Sequence, residues 1–144
     1  MTPISNRAEA QRVEIASMYR TVHYTRAMEQ FRPASRAHMQ PVAGGFAFYC
    51  GKRSPLNRAM GIGMHAPVST AELDTIEHFY RQRGEPPMID HCPLSDPRLQ
   101  SELYRRGYRP KELLGAFIRR LDTLPPLRIP QGKDITPAPP EAAD

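Results

Sequence analysis

Apolar residues along this chain gather into short runs separated by proline, glycine and charged turns, and the densest pair of runs lies between Gly44 and Met64. There Gly-Gly-Phe-Ala-Phe-Tyr-Cys-Gly and Arg-Ala-Met-Gly-Ile-Gly-Met flank a polar turn carrying Gly51, Ser54, Pro55 and Asn57. Two apolar runs around such a turn predict an antiparallel hairpin with a loop longer than the minimum. Phe46, Phe48 and Cys50 fall on one side of the first run, and Ala47 and Tyr49 on the other. A strand of that pattern is expected to be covered on both faces and to sit at the centre of a sheet.

Upstream, Asn6 with Glu9 three residues on forms a capping box, and Ala8, Ile15, Met18, Val22 and Thr25 recur at helical spacing. The spacing predicts a helix from about Arg7 to Gln30 that packs on the sheet or docks a partner, with Arg12, Arg20 and Arg26 largely outside the stripe. Pro33 ends it, and Ala34 to Gln40 reads as a linker or a short second helix before Pro41. Downstream, Ser69 and Glu72 form a second capping box, with Leu73, Ile76, Phe79 and Tyr80 as the apolar stripe and Gly84 as the stop. Met88 to Cys92 reads as a short buried strand. Asp96-Pro97 opens a helix carrying Leu99, Leu103 and Tyr104 and closed by Gly107. In Tyr108 to Leu121, Leu113, Gly115 and Phe117 alternate with Leu114, Ala116 and Ile118, which predicts a last strand with both faces partly covered. From Asp122 to Asp144 the prolines Pro125, Pro126, Pro130, Pro137, Pro139 and Pro140 predict a linker or tail, leaving residues 1–121 as one domain. The predicted order is helix, strand, strand, helix, strand, helix, strand.

Composition changes this picture little. The chain has 144 residues and a net charge of +5, but the basic residues are scattered among acids, as in Arg7/Glu9, Arg12/Glu14 and Arg98/Glu102. Without a basic stripe and interleaved aromatics, the charge points to a solvated surface, and no nucleic-acid partner is expected. No apolar run reaches the roughly 18 residues of a membrane span, and the start lacks the pattern of a secretory leader. A cytoplasmic protein with two free thiols, Cys50 and Cys92, and no membrane partner is the expectation. His23, His38, His65 and His78 show no pairing that would fix a metal, so no metal is expected either.

Three groups of residues carry a resemblance. Leu103-Tyr104-Arg105-Arg106-Gly107-Tyr108 at the last helix-to-strand junction resembles a pattern of the GNAT acetyltransferase superfamily, one residue shorter than its usual form. Gly45 to Leu56 and on through Gly63, with Cys92-Pro-Leu-Ser-Asp-Pro97, resembles the amino-terminal half of bacterial GNAT proteins that carry two such domains in tandem. The resemblance spans residues 7–121. It implies an α/β (α+β) fold: a three-layer sandwich with a mixed, mostly antiparallel sheet, helices on both faces, and a central splay that admits acetyl-CoA as co-substrate.

The resemblance also implies site residues. Arg58-Ala-Met-Gly61-Ile-Gly63 matches the loop on which the superfamily rests the pyrophosphate of acetyl-CoA, at a helix N-terminus whose free amides favour negative charge. By their own pattern the same residues read as a strand, because Pro67 falls where that helix would run and the better helix start is Ser69. Tyr104 stands where relatives place the acid that protonates the departing thiolate; by its own position it is also a core-edge aromatic beside Leu99 and Leu103. Asp90, His91 and Cys92 at a strand end offer a base for an amine, but neighbours in a strand face opposite sides, so no Cys/His pair is expected.

The expected function is therefore an acetyl-CoA-dependent N-acetyltransferase, or its leading half, acting on a small-molecule or peptide amine. The alternative is a non-catalytic GNAT-like scaffold without an acetyl-CoA site of its own. A second GNAT domain following residue 144, or a homodimer, would complete either one.

Overall fold

The computed structural model describes residues 2–3, 6–119 and 122. The expected tail therefore lies outside the described residues, Asp122 excepted. A two-residue strand β1 (Thr2–Pro3) precedes a long helix α1 (Arg7–Phe31). The helix starts where the capping residues predict, with the Glu9 amide donating to Asn6 Oδ1 at 2.9 Å. Met18 and Val22 of α1 pack on Met39, Phe46, Phe48 and Met60. Thr21 and Thr25 are buried in the same stripe and return their hydroxyls to the carbonyls of Ser17 and Thr21 one turn back, which satisfies them where water does not reach. Ala8, expected in the stripe, is exposed, and Ala10 is the buried alanine.

The segment Ala34 to Gln40 departs from the pattern. After one turn of 3-10 helix at Pro33–Ser35 it becomes most of a strand, β2 (His38–Val42), which pairs antiparallel over its full length with β3 (Gly45–Tyr49). The loop between them is Ala43–Gly44, with φ of 51° and 79°. Positive φ at both central positions is the turn whose twist matches a two-residue hairpin. β2 escapes the hydrophobic pattern because it is an edge strand, polar and interrupted by Pro41, and an edge tolerates both features.

The predicted hairpin follows. β4 (Ala59–Met60) pairs antiparallel with β3, Phe46 opposite Met60 and Ala47 opposite Ala59, giving the order β2-β3-β4. The strands approach closely at Gly45, where a Cβ would stand 2.0 Å from the Met60 carbonyl oxygen. Only glycine fits there.

Helices α2 (Thr70–Arg81) and α3 (Leu99–Arg105) cover the other face. The α2 capping box is complete, and Leu73, Ile76, Phe79 and Tyr80 are all buried, as their spacing predicts. With Leu99 and Leu103 they enclose Ala47, Tyr49, Ala59 and Ile62. The result is a mixed α+β fold: a small antiparallel sheet with α1 on one face and α2 and α3 on the other. β3 is buried on both sides as its alternation predicts, Ala47 and Phe48 being almost fully enclosed.

Two predicted strands shrink. Met88 to Cys92 contributes a single parallel bridge, Ala59 with Ile89, made by Ala59 N–H to Met88 O and Asp90 N–H to Ala59 O, both 2.8 Å. Pro86, Pro87 and Pro93 bracket it and leave few residues able to extend a ladder. The Tyr108 to Leu121 strand was expected to be half covered. Instead Leu113 and Leu114 are 94% and 78% exposed, and among the described residues of this stretch only β5 (Phe117–Ile118) pairs, antiparallel with β1. Alternation specifies an extended chain but not the neighbour that will cover it.

Buried side chains complete the ladder where β4 leaves β3. The Tyr80 hydroxyl donates to Phe48 O at 3.1 Å. Asn57, 4% exposed, accepts from Cys50 N–H and donates to Gly51 O, both at 2.8 Å. Each bond replaces one a longer strand would supply. Removing such a side chain leaves a buried backbone group unpaired, at about 1–3 kcal/mol each. Tyr80→Phe should therefore lower the urea unfolding free energy by about 1–3 kcal/mol, and Asn57→Ala, which orphans two groups, by about 2–4 kcal/mol, with the m-value unchanged. Losses below about 0.5 kcal/mol for both would show that the ladder does not need them.

Candidate functional site: a carboxylate cluster beside the sheet edge

The face that α1 turns to the sheet reads, at steps of three and four, Arg7, Gln11, Glu14, Met18, Val22 and Thr25. Its lower half is apolar and its upper half is polar. In the upper half Arg7 Nη2 and Gln11 Nε2 donate to Met64 O at 3.0 and 2.7 Å, tying the helix to the loop after β4. Met18 closes over Gly61, where a Cβ would lie 3.0 Å from its sulfur. Between Gln11 and Met18 stands Glu14, half-buried. Burial pushes its carboxyl above the ordinary value, and the negative charge of Asp90 adds to the shift.

Asp90 follows the parallel bridge at the sheet edge. Burial raises its carboxyl, the Arg58 guanidinium opposes that, and Glu112 reinforces it. Arg58 Nη1 lies 3.3 Å from Asp90 Oδ1 and 3.4 Å from Glu112 Oε1, while its Nε and Nη2 donate to Pro55 O at 3.0 and 2.7 Å. Arg58 thus bridges the Asp90 and Glu112 carboxylates, and the half-buried Glu14 feels the negative charge of Asp90 through space. A half-buried carboxyl of raised affinity for its proton suits two tasks: holding a cation such as an ammonium group, and accepting a proton from it.

The residues singled out by resemblance do not converge here. Arg58 belongs to the cluster, engaged as described. Gly61 lies under α1. Gly63 faces the other layer, where a Cβ would be 3.0 Å from Val68 and 3.3 Å from Leu99, and its amide donates to Ala43 O at 3.2 Å. Tyr104 is 46% exposed on α3. At the nearest helix start beyond this loop, Thr70, the cap engages two amides: Ser69 N–H donates to Glu72 Oε2 at 2.8 Å and Glu72 N–H to Ser69 Oγ at 3.3 Å.

Asp90 and His91 do not act as a pair. Ile89 joins the α2-side core, whereas Asp90 makes its charge contacts with Arg58. His91 Nδ1 is 3.4 Å from Ser95 Oγ, and Nε2 is buried without a hydrogen-bond partner. Desolvation lowers its pKa and favours the neutral ring. Cys50 is buried at 3.3 Å from Thr25 Oγ1, and burial pushes its thiol up, away from the reactive thiolate. Among the described residues no group of His, Cys, Asp and Glu has the arrangement of a metal site, and no helix is long and apolar enough to cross a membrane.

Sequence reasoning missed Glu14. The available signal was its place three residues after Gln11 and four before Met18, which puts an acid inside the sheet-facing line. Compared with protein-family models, curated proteins and solved structures, the chain matches none of them.

The raised Glu14 carboxyl has a consequence for stability. The folded state holds this proton more tightly than the unfolded chain. The stabilisation from that proton is fully present below the unfolded value near 4.5 and is lost as pH rises through the higher folded value. Glu14→Gln, which cannot ionise, should raise the urea midpoint at about pH 7 and leave it nearly unchanged below about pH 4. A lower midpoint at neutral pH would mean that the Glu14 charge is held by a favourable partner.

Proposed function

We propose that this chain is a GNAT-like module that holds no acetyl-CoA of its own and serves acetyl transfer to an amine as a scaffold. In this reading its three-stranded sheet with the flanking helices packs against a second acetyltransferase domain or a second copy. The observation that carries the proposal is the engagement of the donors that would receive a pyrophosphate. The Arg58 guanidinium is spent on Pro55 O, Asp90 and Glu112, the Gly63 amide on Ala43 O, and the Ser69 and Glu72 amides at the start of α2 on their own capping box. A diphosphate needs several free amides converging on one point. Here Gly61 and Gly63 face different layers.

A second reading is favoured by one observation, the half-buried Glu14 and Asp90 carboxyls, each pushed above its ordinary value chiefly by burial, with Arg58 beside Asp90. As an N-acetyltransferase, the protein would hold its acceptor at this cluster. A carboxylate would take a proton from the ammonium group, the free amine would attack the thioester carbonyl, the C–N bond would form and the C–S bond break. The nitrogen would then give up its second proton as the departing thiolate takes one up, leaving the amide and the CoA thiol; Tyr104, to which the resemblance gives the role of acid, lies apart from these carboxylates on α3. A small-molecule or peptide amine is the acceptor class in this reading, with acetyl-CoA as co-substrate.

Calorimetric titration separates the two. Acetyl-CoA added to the purified chain should give no heat of binding up to about 1 mM. Micromolar binding that competes with free CoA would overturn the scaffold reading and favour the enzyme.

A further inference from the structure

Helix α1 spends one face on the sheet, and cations without partners collect on the opposite face. Arg12, Tyr19 and Arg26 follow one another there at steps of seven, and Arg20, Tyr24 and Phe31 lie on the neighbouring line. All six are exposed, the rings of Tyr19, Tyr24 and Phe31 by 57%, 46% and 74%. Arg12, Arg20 and Arg26 make no ion pair among the described residues. The charge that is scattered along the sequence is therefore sorted by the fold. Beyond Glu9 in its first turn, each acid of α1 points elsewhere: Glu14 is half-buried on the sheet side, and Glu29 Oε1 faces His38 Nδ1 of β2 at 3.9 Å. Between Arg12 and Phe31 the outward face carries three cations and no anion. Arg32 and Arg36, both exposed, continue the charge past the helix end. Gly51, where a Cβ would stand 3.6 Å from Ser35 Cβ, brings the exposed Lys52 to the same place.

A surface of one sign attracts the opposite one, and the rings between the arginines narrow the class of anion. The aliphatic side chains exposed on this face are Ala16 and Ala27, too small to form the apolar core of a protein interface. An interfacial helix would insert an apolar stripe into a membrane, but the stripe of α1 is already spent on Met39, Phe46, Phe48 and Met60. A second copy is opposed by charge, since an isologous contact would set arginines against arginines. A single-stranded nucleic acid uses both kinds of group. Its phosphates pair with guanidinium groups, and its unstacked bases lie on aromatic rings. The bases of a duplex are covered by their neighbours and would leave the rings idle. From Arg12 to Phe31 the helix rises about 28 Å, room for a short oligonucleotide.

We propose that the outward face of α1 binds single-stranded nucleic acid, with Arg12, Arg20 and Arg26 contacting phosphates and Tyr19, Tyr24 and Phe31 offering their rings to the bases. The proposal does not rest on either acetyl-transfer reading. Stacking and phosphate contacts are indifferent to base identity, so the binding tolerates sequence.

Fluorescence anisotropy of a labelled oligo(dT) of about 12 nucleotides, titrated with the full chain at about 50 mM salt, tests this. A micromolar dissociation constant is expected, with log K falling against log salt at a slope of about −2, about 0.7 for each of the three phosphates. Oligo(U) of the same length should bind within about fivefold, because neither kind of contact reads the sugar. Arg12→Gln, Arg20→Gln and Arg26→Gln together should weaken binding at least about tenfold and flatten the slope. Tyr19→Ser with Tyr24→Ser should weaken it at least about fivefold and leave the slope alone. Arg105→Gln removes one charge from α3, on the other side of the sheet, and should change the affinity less than about twofold. The substituted side chains are all exposed, so circular dichroism of each variant should match the parent. No binding at about 100 μM chain overturns the proposal. Binding as tight to a duplex of the same length, to polyglutamate, or to vesicles of phosphatidylserine and phosphatidylcholine in equal parts overturns it in favour of a groove reader, an acidic protein partner or a membrane surface. A loss from Arg105→Gln equal to that from Arg20→Gln alone also overturns it, as the mark of charge that belongs to no face.

Discussion

The constraint on which this structure depends is that its central strand is covered on both faces. Phe48 and Ala47 are shut away from water on opposite sides of β3, so every backbone polar group of that strand must be satisfied in the plane of the sheet. β4 pairs with it for only two residues. Beyond that point the phenol of Tyr80 and the carboxamide of Asn57 take the place of backbone. Tyr80 suits the task because burial pushes its pKa well above the ordinary value, so the donated proton stays in place. The same helix then seals the layer: Phe79 meets Tyr80 edge to face at 5.0 Å, and the Arg83 guanidinium lies 3.8 Å from the centre of the Phe79 ring. One tyrosine hydroxyl thus joins a ladder to a hydrophobic layer.

The α2-side layer is assembled from parts too short to stand alone. α3 has seven residues, below the length at which an isolated helix persists. Buried polar groups hold it in place. Asp96 accepts the Val68 and Arg98 amides at 3.0 Å each, which holds its carboxyl below the ordinary carboxylate range, and its own amide donates to Gly63 O at 2.9 Å. Arg106 reaches Asp74 at 2.7 Å and Glu77 and Glu102 at 3.0 Å. A guanidinium among several acids, only 12% exposed, fixes α3 against α2 more firmly than a solvated pair would. Gly63 joins these loops, its amide bonded to Ala43 O and its carbonyl to the Asp96 amide.

The two readings of function differ in which polar groups are regarded as already spent. Donors that a diphosphate would need are occupied by the protein itself, and that follows from the same rule that governs β3: buried amides find partners. The carboxylates of Glu14 and Asp90 are in the opposite condition, short of compensating positive charge, with Arg58 divided between Asp90 and Glu112.

Much of the fold was legible in the chain. The caps at Asn6 and Ser69, the stripe Leu73, Ile76, Phe79 and Tyr80, and the two-sided burial of Phe46 to Tyr49 all follow from local chemistry: capping groups, helical period and strand alternation act over a few residues, so a few residues declare them. β2 was not legible, because an edge strand with Pro41 has no apolar period to show. The fate of Leu113 to Ile118 was not legible either, since alternation marks a strand without naming its neighbour. Of the candidate site, Arg58 and Asp90 could be singled out, but not their pairing, nor the approach of Glu14. Those depend on how α1 lies across the sheet, which brings residues dozens of positions apart into one region and which only the packed layers decide.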